Sequence, residues 1–408
     1  MGEAAMKVED KMWIVSKVFQ SIPLYFAHWE DASFPKEELD ERYKELIAQA
    51  AAADTERQFS LQMIEFMAKL NNGHTNFSPK PSLYGAPIGV YALPFRGEWI
   101  VRDSSIEGLV PGDKVERVEG KTPDQWYCDL RRYIHPSNPE SNKRQLFRAL
   151  NLILPETFVL EAENREGQKK EWTLLRKQPS PSGAADGDRG TTGRVIGAEA
   201  GTRAGAGYIR IPSFGNPEFE NRAMELVKEY ADMERLIIDV RGNGGGSTPS
   251  KLTRALMNKP YRWYAEMTPH NVGIHTLQAA KGWANQYYDS YVLMRRPYQE
   301  SDGGAYGGRV IILTDRGTGS AAEDFVLPFK DNGRAAVIGQ STFGSTGQPF
   351  YYEFANGMSF RISTKRAYFP DGSPFEGVGI APDLAITPTR EDLYENRDPV
   401  LAAALEID

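Results

Sequence analysis

The chain has 408 residues, 40% of them hydrophobic and 11% aromatic, with a net charge of −7; that is enough apolar material for more than one core, and the acidic balance argues against nucleic acid as the main partner. No run approaches the ~18 continuous apolar residues of a membrane span. The opening MGEAAMKVEDKM has neither the basic start nor the apolar centre of a signal peptide.

Residues 1–80 read as a helical region. Lys7–Ile22, Pro35–Ala53 and Gln58–Leu70 carry apolar residues at three-to-four spacing, and Pro23 and Pro35 punctuate the first gap. The loop Asn71–Pro79 then presents His74 in a glycine turn, the one histidine placed like a functional group. On position alone it is better explained as an exposed loop residue.

Residues 82–176 become β-rich, with strands at Lys114–Val118, Thr157–Glu163 and Glu171–Arg176 and a helix after the second turn. This layout, with the wording GLVPGDKVERVEGK, resembles a PDZ-like domain, a module that adds a peptide to a sheet edge. Gly120-Lys121-Thr122 fails as a phosphate loop because Val115 stands where the first glycine is required. Cys128, the only cysteine, excludes an intrachain disulfide framework and reads as a packed helix residue in DQWYCDLRRYI.

Residues 177–206, rich in Pro, Gly, Ala and Ser, read as a linker. From 207 to 408 strands and helices alternate: Tyr208–Ile211, Glu218–Met233, Leu236–Val240, Pro249–Met257, Val310–Leu313, a helix opening at Ser320, then Ala335–Ile338. An α/β layered domain is expected. The aromatic-rich stretch 258–308 reads as an irregular insertion, with Tyr261–Tyr264 and Trp283–Tyr291 as core or as apolar contacts to a substrate. A hairpin turning at Asn356-Gly357 and a short terminal helix near Val400–Leu405 complete the chain.

Two glycine loops follow two buried strands. In the second, Ser320 opens a helix, where free N–H groups and the dipole suit an oxyanion. Ser320-Ala-Ala-Glu323 equally fits a capping box, in which serine and glutamate only satisfy backbone donors. If RGNGGGS lies beside Ser320, Gly245 and Ala321 become the expected oxyanion donors. Asp239 and Arg241 flank this loop and are expected to fix it, whereas Asp331 reads as a solvated turn residue. His270 and His275 are five apart, and neither HExxH nor Cys-x-x-Cys occurs, so no metal site and no cofactor are expected.

LIIDVRGNGGGS, LTDRGTGSAAEDF, KDNGRAAVIGQSTFG and EGVGIAPD, in that order, resemble the tail-specific (C-terminal processing) and tricorn-type serine peptidases. The resemblance implies a crotonase-like ββα catalytic core and hydrolysis of a peptide or unfolded protein through an acyl-enzyme, with Ser320 as nucleophile. The C-terminal processing branch carries a lysine base where this chain has Ser345. The tricorn-like branch takes a histidine from a loop ahead of the PDZ-like domain, matching His74, and a glutamate matching Glu376 to organise the site. The serine that precedes that histidine is here Gly73. With a histidine base, activity should rise with pH through a group titrating at roughly 6 to 7.5. The resemblance also implies export and is compatible with an oligomer. Two other readings of the same residues are a peptide-binding relative that has lost catalysis and a crotonase-like acyl-CoA enzyme.

Overall fold

The runs RLIID and RVIILT hold β-branched and other apolar residues without polar alternation, the signature of strands covered on both faces. In the computed structural model, which describes residues 6–135, 137–176, 190–197, 205–269, 291–295, 297–301 and 306–407, they lie side by side. Arg235–Asp239 and Arg309–Thr314 pair in parallel at the centre of a six-stranded sheet. Its order across is Leu384–Ala385, Ala335–Gly339, Arg309–Thr314, Arg235–Asp239, Ala206–Arg210 and Thr192–Ile196. Only the last pairing is antiparallel. Segment 177–206, expected as a linker, thus contributes an edge strand; residues 177–189 and 198–204 lie outside the described residues.

The chain divides into two compact units. One comprises Met1–Gln178, Glu266–Met294 and Gly347–Arg366, and the other Pro179–Ala265, Arg295–Thr346 and Ala367–Asp408. In the second, helices Pro217–Glu229, Ser250–Leu256 and Ala321–Asp331 bury Leu226, Leu252, Phe325 and Phe329 with Ile238 and Ile312 of the sheet. Tyr261 and Tyr264 join this core, so they are packing residues. His270, His275 and Trp283–Ser290 lie outside the described residues.

The first unit begins with helices Val8–Tyr25, Leu39–Ala52 and Glu56–Ala68, whose apolar faces bury Val15, Val18, Phe59 and Met63. The first helix runs through Pro23 to Tyr25 rather than ending before it; a proline in the last turn removes only one hydrogen bond near a frayed end. A five-stranded antiparallel sheet follows, Val90–Phe95, Glu98–Ser104, Lys114–Val118, Thr157–Glu163 and Lys169–Leu175. TFVLEAE shows the period of two directly, with Phe158, Leu160 and Ala162 buried. Helix Pro123–Leu130 starts at a Thr122–Gln125 capping box. Cys128 is exposed on it, contrary to the packed position expected, because Trp126 and Leu130 take the inward face. The hairpin of Phe350–Glu353 and Ser359–Ile362 adds Asn76–Ser78 as a third strand, with Asn76 opposite Arg361. The loop holding His74 is thereby tied to residues nearly 300 positions away.

Candidate active site

The second glycine loop is built by side chains that close its turns. Asp315 Oδ1 accepts from the N–H groups of Gly317 and Gly242, both at 2.8 Å, and Thr318 Oγ1 donates to the Val240 carbonyl at 2.9 Å. Asp315 and Thr318 therefore join the loops after two neighbouring strands. Ser320 follows with φ 54° and ψ −123°, an unusual conformation for a residue with a side chain, at the N-cap of helix Ala321–Asp331.

Gly245, with φ +101°, packs directly on this turn. A Cβ there would stand 2.6 Å from Ser320 Cβ, 2.8 Å from the Ala321 nitrogen and 2.9 Å from the Gly319 oxygen. Only glycine permits that approach. The Gly245 N–H, expected as an oxyanion donor, instead points to Asn243 Oδ1 at 2.9 Å, because the asparagine closes its own turn two residues on. The Ala321 N–H meets no acceptor among the described residues, as expected at the first position of a helix.

Sequence reasoning read Glu323 as half of a capping box. It does receive the Ser320 N–H at 3.0 Å. Its carboxylate also accepts from Thr342 Oγ1 and from the Gly344 and Ser345 N–H groups at 2.7 and 3.1 Å. Complete burial pushes its pKa up to about 8 against these bonds, which favour the charged form. The adjacent Asp324 accepts from Thr248 Oγ1 at 2.6 Å and Thr346 Oγ1 at 2.7 Å. Two neighbouring carboxylates thus hold the Ser320 turn, the glycine loop and the loop 342–346 in one arrangement. Asp324, Thr248, Thr342 and Thr346 were not singled out from sequence. The adjacent acids opening a buried helix were the available signal.

Ser345, at the position of the lysine in the related branch, is fully buried and donates through Oγ to Glu376 Oε1 at 2.7 Å. Its carbonyl accepts the Ser320 N–H at 3.1 Å. Ser320, Ser345 and Glu376 are therefore linked through backbone and side chain. Arg241 forks onto Asp239 at 2.6 and 3.0 Å and onto Asp398 at 2.7 and 2.8 Å. Asp239 and Arg241 do fix the start of the glycine loop, and Asp398, the N-cap of the last helix, completes the fork. Asp331 is exposed, as expected, at the last position of helix Ala321–Asp331, where it pairs with Arg262 at 2.9 Å.

His74 belongs to the first unit, whereas Ser320, Ser345 and Glu376 belong to the second. The His74 N–H donates to Asn72 Oδ1 at 2.9 Å, Gly73 N–H donates to Ser137 Oγ at 2.8 Å, and Gly347 is so close that a Cβ would lie 3.4 Å from the imidazole Cγ. His74 is 8% exposed, not the open loop residue that position alone suggested. Burial, with Arg361, His28 and Lys365 nearby, pushes its pKa down to about 3. That is well below the range expected from sequence, and the imidazole is neutral at physiological pH. Among the described residues no cluster of His, Cys, Asp and Glu is arranged to hold a metal ion, and no helix is long and apolar enough to cross a membrane.

Residues 205–386 match peptidase family S41. The chain is 26% identical over 185 residues to the carboxy-terminal processing protease CtpB of Bacillus subtilis, covering 44% of this chain and 34% of that protein. It is 24% identical over 187 residues to the chloroplastic C-terminal processing peptidase of Tetradesmus obliquus, covering 45% and 35%. The chain spans about a third of the length of these curated relatives in the matched region. Among solved structures, mature CPAF superposes with a TM-score of 0.73 at 14% identity, covering 98% of this chain and 96% of that one. The photosystem II D1 C-terminal processing protease gives 0.51 at 16%, covering 93% of each. The resemblance carried by the sequence motifs is thereby borne out, and the chain has the mixed α/β fold of S41 peptidase structures.

Proposed function

We propose that this protein is a serine peptidase that hydrolyses peptide bonds through an acyl-enzyme, with Ser320 as nucleophile and His74 as general base. The observation that carries the reading is the contact of Gly245 with Ser320: a serine with φ 54° at a helix N-terminus, pressed against a glycine that no larger residue can replace. Such a turn exposes a hydroxyl beside helix N–H groups, the arrangement acyl transfer requires.

In this mechanism Ser320 Oγ attacks the scissile carbonyl carbon while its proton passes to the neutral imidazole of His74. The Ala321 N–H receives the developing oxyanion. Gly245 supplies close backbone packing in our reading, and its N–H joins the oxyanion hole only if it leaves Asn243. Collapse of the tetrahedral intermediate breaks the C–N bond, and the leaving amine takes the proton from His74. Water then attacks the ester, His74 accepting a proton from it and returning one to Ser320. Glu376, joined to Ser345, organises the site.

Residues 82–176 are read as a PDZ-like domain that binds peptide, and 207–408 as a crotonase-like catalytic domain. The antiparallel sheet with its Pro123–Leu130 helix supports the first reading, and the parallel strands with interleaved helices the second. A fluorophosphonate probe tests the chemistry: it should label wild-type protein at Ser320, identified by peptide mapping, and leave Ser320→Ala unlabelled. Folded wild-type protein that does not label would exclude an activated serine.

A further inference from the structure

Glu323 is a fully buried acid with no cationic partner among the described residues. Its two oxygens face different kinds of donor. Oε2 accepts the Ser320 and Ser345 N–H groups at 3.0 and 3.1 Å. Oε1 accepts the Gly344 N–H at 2.7 Å and the Thr342 hydroxyl. Each oxygen is thus a double acceptor, the full complement of an ionised carboxylate. Three of the four donors are backbone amides, which cannot reverse. A hydroxyl can.

A proton on this carboxyl therefore has one place that displaces no amide: Oε1, donating to Thr342 Oγ1. Thr342 is itself fully buried, and its Oγ1 already accepts the Ile380 N–H at 2.8 Å. Gly379 packs so closely that a Cβ would stand 3.0 Å from that hydroxyl. Reversing the bond gives Thr342 Oγ1 two donors and turns its own proton away from Glu323, with no solvent to receive it. The Ser320 N–H that Glu323 holds is shared with the Ser345 carbonyl at 3.1 Å, so a change at the carboxyl reaches the Ser320 backbone directly. The titratable groups around Glu323 are acids. Asp324 follows it on the helix and accepts from Thr248 and Thr346, and Glu376 accepts from Ser345. Tyr264, its ring 4.6 Å from that of Phe375, is held protonated by burial with Glu323, Asp324 and Glu376 nearby. None of them neutralises Glu323. Burial outweighs its four hydrogen bonds and pushes its pKa up to about 8.

We propose that Glu323 is a positioning residue for Ser320, and that the Ser320 turn reaches its reactive geometry only while this carboxyl is ionised, Thr342 being the partner that reverses when it is not. This rests on the peptidase reading for the effect on reactivity, though not for the ionisation itself. Glu323 acts through the backbone of Ser320, Gly344 and Ser345 and not on substrate. Ser320 reactivity then rises with pH as Glu323 loses its proton, well above the limb due to His74.

The test uses the full-length protein and two readouts across roughly pH 6–10: the rate of fluorophosphonate labelling at Ser320, and the amide NMR signals of Ser320, Gly344 and Ser345. In the wild type all should follow one ionisation near 8, with labelling ~10- to 100-fold faster in the ionised form. Thr342→Val removes a donor that favours the charged form and should move the shared midpoint up by ~1–2 pH units. Glu323→Gln, uncharged at every pH, should label ~10²-fold more slowly and without that limb, and Glu323→Asp should restore the limb in part. Labelling that stays flat through this range, an unshifted midpoint in Thr342→Val, or a limb near 8 retained in Glu323→Gln overturns the proposal. Should Glu323→Gln fail to fold, the wild type and Thr342→Val decide. The two readouts also separate the readings. Amides that titrate together in a protein that never labels keep the hold of Glu323 on the turn and remove the peptidase. Labelling that is constant with pH over unmoved amides does the reverse.

Discussion

Ser345 Oγ donates to Glu376 Oε1 at 2.7 Å, so the hydroxyl that the sequence resemblance sets against a lysine is buried and bonded to a carboxylate. In the proposed mechanism such a hydroxyl does not take the proton of Ser320, and that role is assigned to His74.

Removing that hydroxyl tests how far Glu376 matters. Ser345→Ala should lower kcat ~5- to 150-fold with little change in KM, since loss of one hydrogen bond to a carboxylate is worth roughly 1–3 kcal/mol. Steady-state kinetics on a cleaved peptide give the two constants. An unchanged kcat would make the Ser345–Glu376 bond incidental.

Ser320→Ala should abolish turnover and leave the fold intact. The Glu323 bond is to the Ser320 backbone N–H, which alanine retains, so stability should change by ~1 kcal/mol or less. Circular dichroism melts and peptide cleavage measured on one preparation decide this. Retained turnover in a folded variant would remove Ser320 from the mechanism.

Gly245→Ala should be far more damaging than its size suggests. The added methyl meets Ser320 Cβ at 2.6 Å and occupies a φ of +101°. We expect a loss of ~10²- to 10³-fold in kcat, the scale of a displaced oxyanion donor, with ~1–3 kcal/mol of destabilisation from the strained backbone. Gly242→Ala is the control: its φ is +72° but no atom lies within 4 Å of the new methyl. It should therefore cost stability with a much smaller loss of rate.

Asp324→Asn keeps the shape but replaces one acceptor by a donor facing either Thr248 or Thr346. A loss of roughly 1–3 kcal/mol is expected, read as a lower midpoint in urea. Fluorophosphonate labelling of Ser320 should slow in parallel, because the glycine loop and loop 342–346 lose their shared anchor. Normal labelling with lowered stability would confine Asp324 to a structural role.

The depressed histidines give a pH dependence with a definite sign. His74 and His135 fall from 6.5 to about 3 on folding, so the unfolded chain binds more protons between those limits. Their contribution to stability is present above pH 6.5 and is lost as pH falls toward 3. His74→Gln should flatten part of that acid limb in urea titrations. It should also lower turnover by ~10²- to 10⁴-fold, because an amide cannot accept and return a proton. In the wild type, the acidic limb of kcat/KM due to His74 should lie near 3, not between 6 and 7.5.

The sequence by itself determined the local structure at the site. Uninterrupted apolar runs set the central strands, glycine and asparagine set the turns after them, and S-A-A-E-D set a helix with acids in its first turn. Those are short-range effects of backbone freedom, capping and side-chain periodicity. Tertiary structure decided what each group faces. The 177–206 segment gained a strand because a sheet edge was available to pair with. Glu323 became a junction of three segments because residues 342–345 pack against it, and Asp324 gained Thr248 and Thr346 in the same way. His74 lost water and acquired cationic neighbours, and its pKa followed. No spacing within the chain encodes desolvation or the charge of a neighbour nearly 300 residues away, so the helix opening at Ser320 was legible and the electrostatic state of His74 was not.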